Sequence, residues 1–121
     1  MTIKPETAYT KIVKRRLAAQ GAFVIKIDER YRSGFPDLIV VQDGVVKFVE
    51  IKMGDNQPTE LQKLTLYLIA ARGGNAYVLR KQSLTEELFQ VQGGVSDFAV
   101  RIVPLSQLLD TGGKRDAAQG Q

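Results

Sequence analysis

The chain has 121 residues, is 44% hydrophobic and 25% charged, and carries a net charge of +4, a size and composition that predict one globular core. It has neither cysteine nor histidine, which excludes disulfide frameworks, thiol nucleophiles, Cys/His zinc sites and the Ser-His-Asp triad. Any catalysis must then rest on carboxylates, lysine, tyrosine, hydroxyls and hard metal ions.

In chain order, Pro5 suits the first turn of a helix, and Ala8, Ile12, Val13 and Leu17 recur at helical spacing up to Gln20-Gly21. That spacing predicts a helix over 6–20, stopped by the glycine. Residues 22–28 (AFVIKID) alternate and read as a strand, followed by a charged connection over 29–34. Residues 37–42 and 45–52 read as two strands around Asp43-Gly44, and 53–58 as a polar loop. A second helix is expected over 60–72, with Leu61, Leu64, Leu68 and Ala71 as its inward stripe and Gly73-Gly74 as its stop. Residues 75–80 (NAYVLR) form a strand. Ser83 caps a short helix over 84–91, 98–103 is a late edge strand, and 104–109 is a last helical turn. Residues 111–121 lack an apolar anchor and read as a disordered tail beyond one domain at 1–110. The order α-β-β-β-α-β with a C-terminal extension predicts an α/β fold with one mixed sheet and helices packed on it. No apolar run approaches the roughly 20 residues of a membrane helix, and the first residues lack the apolar core of a signal peptide. A cytoplasmic protein with no membrane partner is expected.

The charge is uneven. Of 17 Lys and Arg, eight lie in residues 1–32 against three acids: Lys4, Lys11, Lys14, Arg15, Arg16, Lys26, Arg30 and Arg32. Such a patch suits a polyanion such as nucleic acid; a plain solvated helix face is the alternative.

The central hairpin carries a conflict. Asp-Gly favours a two-residue type I′ turn, which pairs Gln42 with Val45, Val40 with Lys47 and Leu38 with Val49, and sets Asp37 opposite Glu50. Alternation puts Asp37, Glu50 and Lys52 on one face and Ile51 on the other. Carboxylates directly opposite each other repel, more so in strands whose two faces are both apolar. A divalent cation held by carboxylates and water resolves the conflict, with Lys52 as a fixed positive charge beside it. The alternatives are a different turn length, which separates the acids, or a solvated Glu50–Lys52 pair at a sheet edge. Gly34 permits either a bend or the close approach of a phosphate backbone, and Pro36 marks a strand start.

Gly34-Phe35-Pro36-Asp37 followed by Glu50-Ile51-Lys52 resembles the PD-(D/E)XK nuclease signature. The longer run GFPDLIVV…FVEIK…LQ…ARGGNAYVLR resembles the VRR-NUC nuclease domain, found alone in small phage and bacterial proteins and fused to larger repair enzymes. The likeness covers residues 6–80. It implies the restriction-endonuclease-like α/β core, Mg2+- or Mn2+-dependent hydrolysis of phosphodiester bonds, and residence in the cytoplasm of a bacterium or a phage-infected cell. It also implies site roles for Glu6 and Gln62. Each has a structural alternative: an acid in a helix's first turn is favoured by the dipole, and Thr59-Glu60-Leu61-Gln62 is a capping box.

Metal ligands expected from the resemblance are Asp37, Glu50, the carbonyl of Ile51 and Glu6. Lys52 is left with two roles, steadying water and transition state or acting as base. Lys11, Lys14, Arg15, Arg30, Arg32, Gly34 and Arg80 are the expected DNA contacts. The expectation is a metal-dependent DNA endonuclease selective for branched DNA, such as Holliday junctions or flaps, acting as a homodimer. An exonuclease or a non-catalytic DNA-binding module with the same fold are the alternatives.

Overall fold

The computed structural model describes residues 4–28, 33–93 and 98–109. The expected tail at 111–121 and the basic residues Arg30 and Arg32 lie outside them. The elements are α1 (Pro5–Ala19), β1 (Phe23–Lys26), β2 (Leu38–Gln42), β3 (Val45–Met53), α2 (Glu60–Ala71), β4 (Asn75–Lys81), β5 (Glu86–Gln92), β6 (Ala99–Val103) and α3 (Ser106–Leu109). The strands form one six-stranded sheet in sequence order. Among the described residues only β3 and β4 pair in parallel, joined by the α2 crossover; the other neighbours are antiparallel.

The hairpin register is the one the Asp-Gly turn predicts, from Gln42–Val45 through Leu38–Val49. Asp43 (φ 52°) and Gly44 (φ 80°) both adopt left-handed backbone, the requirement of a type I′ turn. This register sorts the side chains into two layers. Tyr9, Val13 and Leu17 of α1 and Leu108 of α3 pack on Leu38, Val40, Val49, Ile51, Tyr77 and Leu79. On the opposite face, Leu66, Ile69 and Ala70 of α2 pack on Ala76, Val78 and Val91.

Two expectations are corrected. Residues 84–91 do not form a helix: Glu86–Gln92 is strand β5. Leu84, Leu88 and Val91 fit a helical stripe, but Phe89 and Val91 also fit alternation, with Leu88 turned to the other face, and only a strand satisfies the free edge of β4. Leu84 is 91% exposed in the connecting turn, closed by the Gln82 amide donating to the Thr85 carbonyl. Nor does the stripe Leu61, Leu64, Leu68 of α2 face inward; these side chains are 48%, 52% and 41% exposed, and Leu66 takes the core position. The helix is apolar on both sides, so its pattern could not say which side meets the sheet.

A polar cluster ties α1 to β5. Tyr9 donates its hydroxyl to Glu86, and Arg16 donates to both Glu86 oxygens at 3.1 Å. Burial alone would raise the Glu86 carboxyl, but the hydrogen bonds from Tyr9 and Arg16 and the nearby positive charges bring it below its ordinary 4.5. With the folded-state value lowered, the carboxylate's contribution is fully present above the ordinary 4.5 and is lost as pH falls through the lowered value. Thermal melts from about pH 3 to about pH 7 should therefore show a shallower acid decline in Glu86→Gln than in wild type.

Candidate active site

The site lies on the α2 side of the sheet, at the end of β2 and β3 remote from the Asp43-Gly44 turn. The β2–β3 ladder ends at Leu38–Val49. One step further, the carboxylate of Asp37 accepts from the Ile51 amide at 2.7 Å, and its carbonyl accepts from the Ile27 amide at 3.0 Å. The side chain thus replaces the ladder bond where the hairpin splays. N–H and C=O of one strand residue point to the same edge, so the Ile51 carbonyl is directed to the Asp37 side.

Asp37 and Glu50 are 4% and 1% exposed, and alternation from Leu38, Val49 and Ile51 turns both toward α2. Lys52 lies on the same face, with Nζ 3.4 Å from Glu50 Oε2. Gln62 donates Nε2 to Glu50 Oε2 at 3.0 Å. Its Oε1 accepts from the Thr59 amide at 2.8 Å while its own amide donates to Thr59 Oγ1 at 3.2 Å. The two readings of Gln62 are therefore one arrangement: the capping box holds the amide rotamer that reaches Glu50. Gly34 (φ +76°) packs under α2, where an added Cβ would meet Leu61 Cγ at 2.5 Å; its requirement here is steric and conformational.

Glu6 sits half-buried in the first turn of α1. It lies at the same end of the sheet as the acids, since Tyr9, one turn on, reaches Glu86, the register neighbour of Lys81 beside Met53. The helix packs on the other layer, and the described residues gather no group of three or more acids placed to hold a metal. Lys11 and Arg15 are exposed on α1 with Lys14 between them, on the layer away from Asp37 and Glu50. Arg80 is the register neighbour of Lys52 on β4 and shares its face.

Two buried carboxylates and a directed carbonyl are hard oxygen donors. They fit Mg2+ or Mn2+, which are commonly held by one or two carboxylates, with water and substrate oxygens completing the shell. Phe89 and Phe98 line a cleft with Arg80, a juxtaposition not read from the sequence; for Phe89, the period-2 alternation of Glu87, Phe89 and Val91 was the available signal.

No protein-family model matches the chain, and no curated protein does. Solved structures do. A VRR_NUC domain is 33% identical over 66% of this chain and 87% of that domain, with a TM-score of 0.59. The Hjc Holliday junction resolvase of the archaeal hyperthermophile Archaeoglobus fulgidus is 16% identical over 88% of this chain and 96% of the resolvase, with a TM-score of 0.62; at that identity the likeness is one of fold.

Proposed function

This chain belongs to the VRR-NUC nucleases of the PD-(D/E)XK superfamily, and from that premise we propose that it is a metal-dependent endonuclease that cuts branched DNA. The observation that carries the reading is the buried Asp37–Glu50 pair with Lys52 and Gln62 on the open end of the sheet. Buried charges beside the apolar α2 layer weaken a core and serve chemistry instead.

Asp37, Glu50 and the Ile51 carbonyl would hold the ion in this reading; Glu6, at the same end of the sheet but on the α1 layer, is the further ligand that the resemblance implies. The ion, when bound, polarises the scissile phosphate and lowers the pKa of water. Gln62 fixes Glu50 so that its charge needs no reorganisation. Lys52 directs its ammonium at the attacking water and at the charge that grows on the phosphoryl oxygens. Arg80 and the Gly34 turn flank the phosphate, while Lys11, Lys14 and Arg15 hold backbone further out, with Arg30 and Arg32 in the same role. Residues 1–110 act as a single nuclease domain in the cytoplasm; no described helix is long and apolar enough to cross a membrane.

The uncovered half of the α2 face supports a homodimer. α2 packs against β4 and β5 and leaves Phe23, Ile25 and Val46 exposed on the other half. Its outward Leu61, Leu64 and Leu68 form a ridge beside an apolar groove of about 520 Å3 lined by Ile27, Phe35, Ile39, Phe48 and Leu68. Ridge and groove side by side are self-complementary under a two-fold axis, and exposed apolar patches of this kind mark contact surfaces. The A. fulgidus relative is a Holliday junction resolvase, and symmetric cutting of a four-way junction wants two sites.

The experiment is a panel of junction, flap, nicked, duplex and single-stranded DNA with Mg2+, Mn2+ or EDTA, beside sedimentation of wild type and Leu64→Glu. The expected result is metal-dependent cutting of branched DNA by a dimer, with Leu64→Glu monomeric and poor on junctions. Tight, salt-dependent binding without cutting in either metal would instead identify a DNA-binding module.

A further inference from the structure

The α2 face of the sheet continues past the acids. Glu50 neighbours Val78, Val78 neighbours Phe89 and Phe89 neighbours Ile102, while one step on Lys52 neighbours Arg80 and Arg80 neighbours Glu87. α2 covers the earlier part of this floor, with Gly93 pressed so closely on Ala71 that an added Cβ would lie 2.4 Å from its backbone. Beyond the N-terminus of α2 the floor opens into a cleft of about 180 Å3 between Pro58, Val78, Arg80, Phe89, Phe98 and Val100.

Its chemistry is specific. The Arg80 guanidinium lies 5.2 Å from the Phe89 ring centre, and Lys63 Nζ lies 5.9 Å from that of Phe98. Arg80 Nε is buried with no acceptor among the described residues, and a terminal nitrogen reaches the Asn56 carbonyl only at 3.4 Å. We propose that this cleft is a stacking subsite for one unpaired nucleobase next to the scissile phosphate. The inference rests on the nuclease reading above.

A base is the ligand whose shape and chemistry match. Its faces stack on aromatic rings and guanidinium planes, and its edge offers acceptors to the buried Nε–H. A phosphate alone would use Arg80 but would leave the Phe89, Phe98, Pro58 and Val100 walls facing nothing. A paired base inside duplex DNA has both faces covered by its neighbours and enters only after unstacking. The subsite therefore selects DNA that already carries an unpaired nucleotide at the cut, and selectivity for flaps and junctions becomes a property of β4, β5 and the loop before α2.

The test uses the full chain in EDTA, so that binding is read without cutting. Flapped DNA carries 2-aminopurine at successive positions around the branch, and Phe89→Leu and Phe98→Leu remove a ring while keeping an apolar side chain. One position should be quenched on binding to wild type. Both variants, with wild-type melting curves, should lose that quench and bind the flap about tenfold more weakly, with duplex affinity unchanged; this is the scale of one lost base stack. An abasic residue at the quenched position should weaken wild type equally and the variants no further. Absence of quenching at every position, or variants that bind flap and duplex as wild type does, would overturn the subsite. So would Arg80→Gln weakening every DNA equally while both Phe variants are silent, since Arg80 is then a phosphate contact alone. A parallel Mg2+ assay separates the two proposals: quenching without any cutting refutes the nuclease reading, and cutting with indifferent Phe variants refutes only the subsite.

Discussion

Asp37→Asn and Glu50→Gln should each abolish metal-dependent cleavage while the protein stays folded and binds DNA. The amide variants are chosen because of what the carboxylates hold. Asp37 accepts the buried Ile51 amide at 2.7 Å. Alanine there would leave that donor unsatisfied, at a cost of about 1–3 kcal/mol, and confuse loss of chemistry with loss of fold. Asparagine keeps an acceptor and removes the charge. Glutamine at position 50 likewise keeps an oxygen for Gln62. The metal-held charge contributes several kcal/mol to phosphoryl transfer, and each 1.36 kcal/mol is tenfold. The expected loss in single-turnover rate is thus about 10³-fold or more. Binding in EDTA should persist or tighten, since negative charge near the phosphate has gone. Full activity in both variants would show that the site lies elsewhere.

Lys52→Ala should lower the rate by about 10²-fold or more, the usual scale for removing a preorganised transition-state donor. Its effect on affinity should be small, because one cation among many phosphate contacts carries little of the total. The structure adds a cost: Lys52 Nζ is 3.4 Å from a Glu50 oxygen that is 1% exposed. Removing one partner of a buried pair destabilises by about 3–5 kcal/mol at most, so melting should be measured with the rate. Lys52→Arg separates the roles. A planar fork does not replace a point charge on a flexible stem, so arginine should recover stability more than rate. If binding fell steeply while the rate per bound complex held, Lys52 would be a phosphate anchor.

What was legible in the sequence was local. Asp43-Gly44 determined the turn, the turn determined the register, and the register put Asp37, Glu50 and Lys52 on one face. The caps were legible for the same reason: Thr59 and Gln62 sit within one turn, and Gly21 and Gly73 carry the positive φ that ends a helix. Tertiary structure decided whatever depended on a distant partner. Leu61, Leu64 and Leu68 form as good an apolar stripe as Leu66, Ile69 and Ala70, and only the position of the sheet chose between them. Glu86–Gln92 carried both helical and alternating patterns, and the open edge of β4 made it a strand. That choice brought Phe89 under Arg80 on the next strand, and Glu86 against Tyr9 and Arg16, 77 and 70 residues away in the chain. A sequence pattern reports spacing along one element, whereas burial is settled by which surfaces meet, and no local signal encodes that meeting.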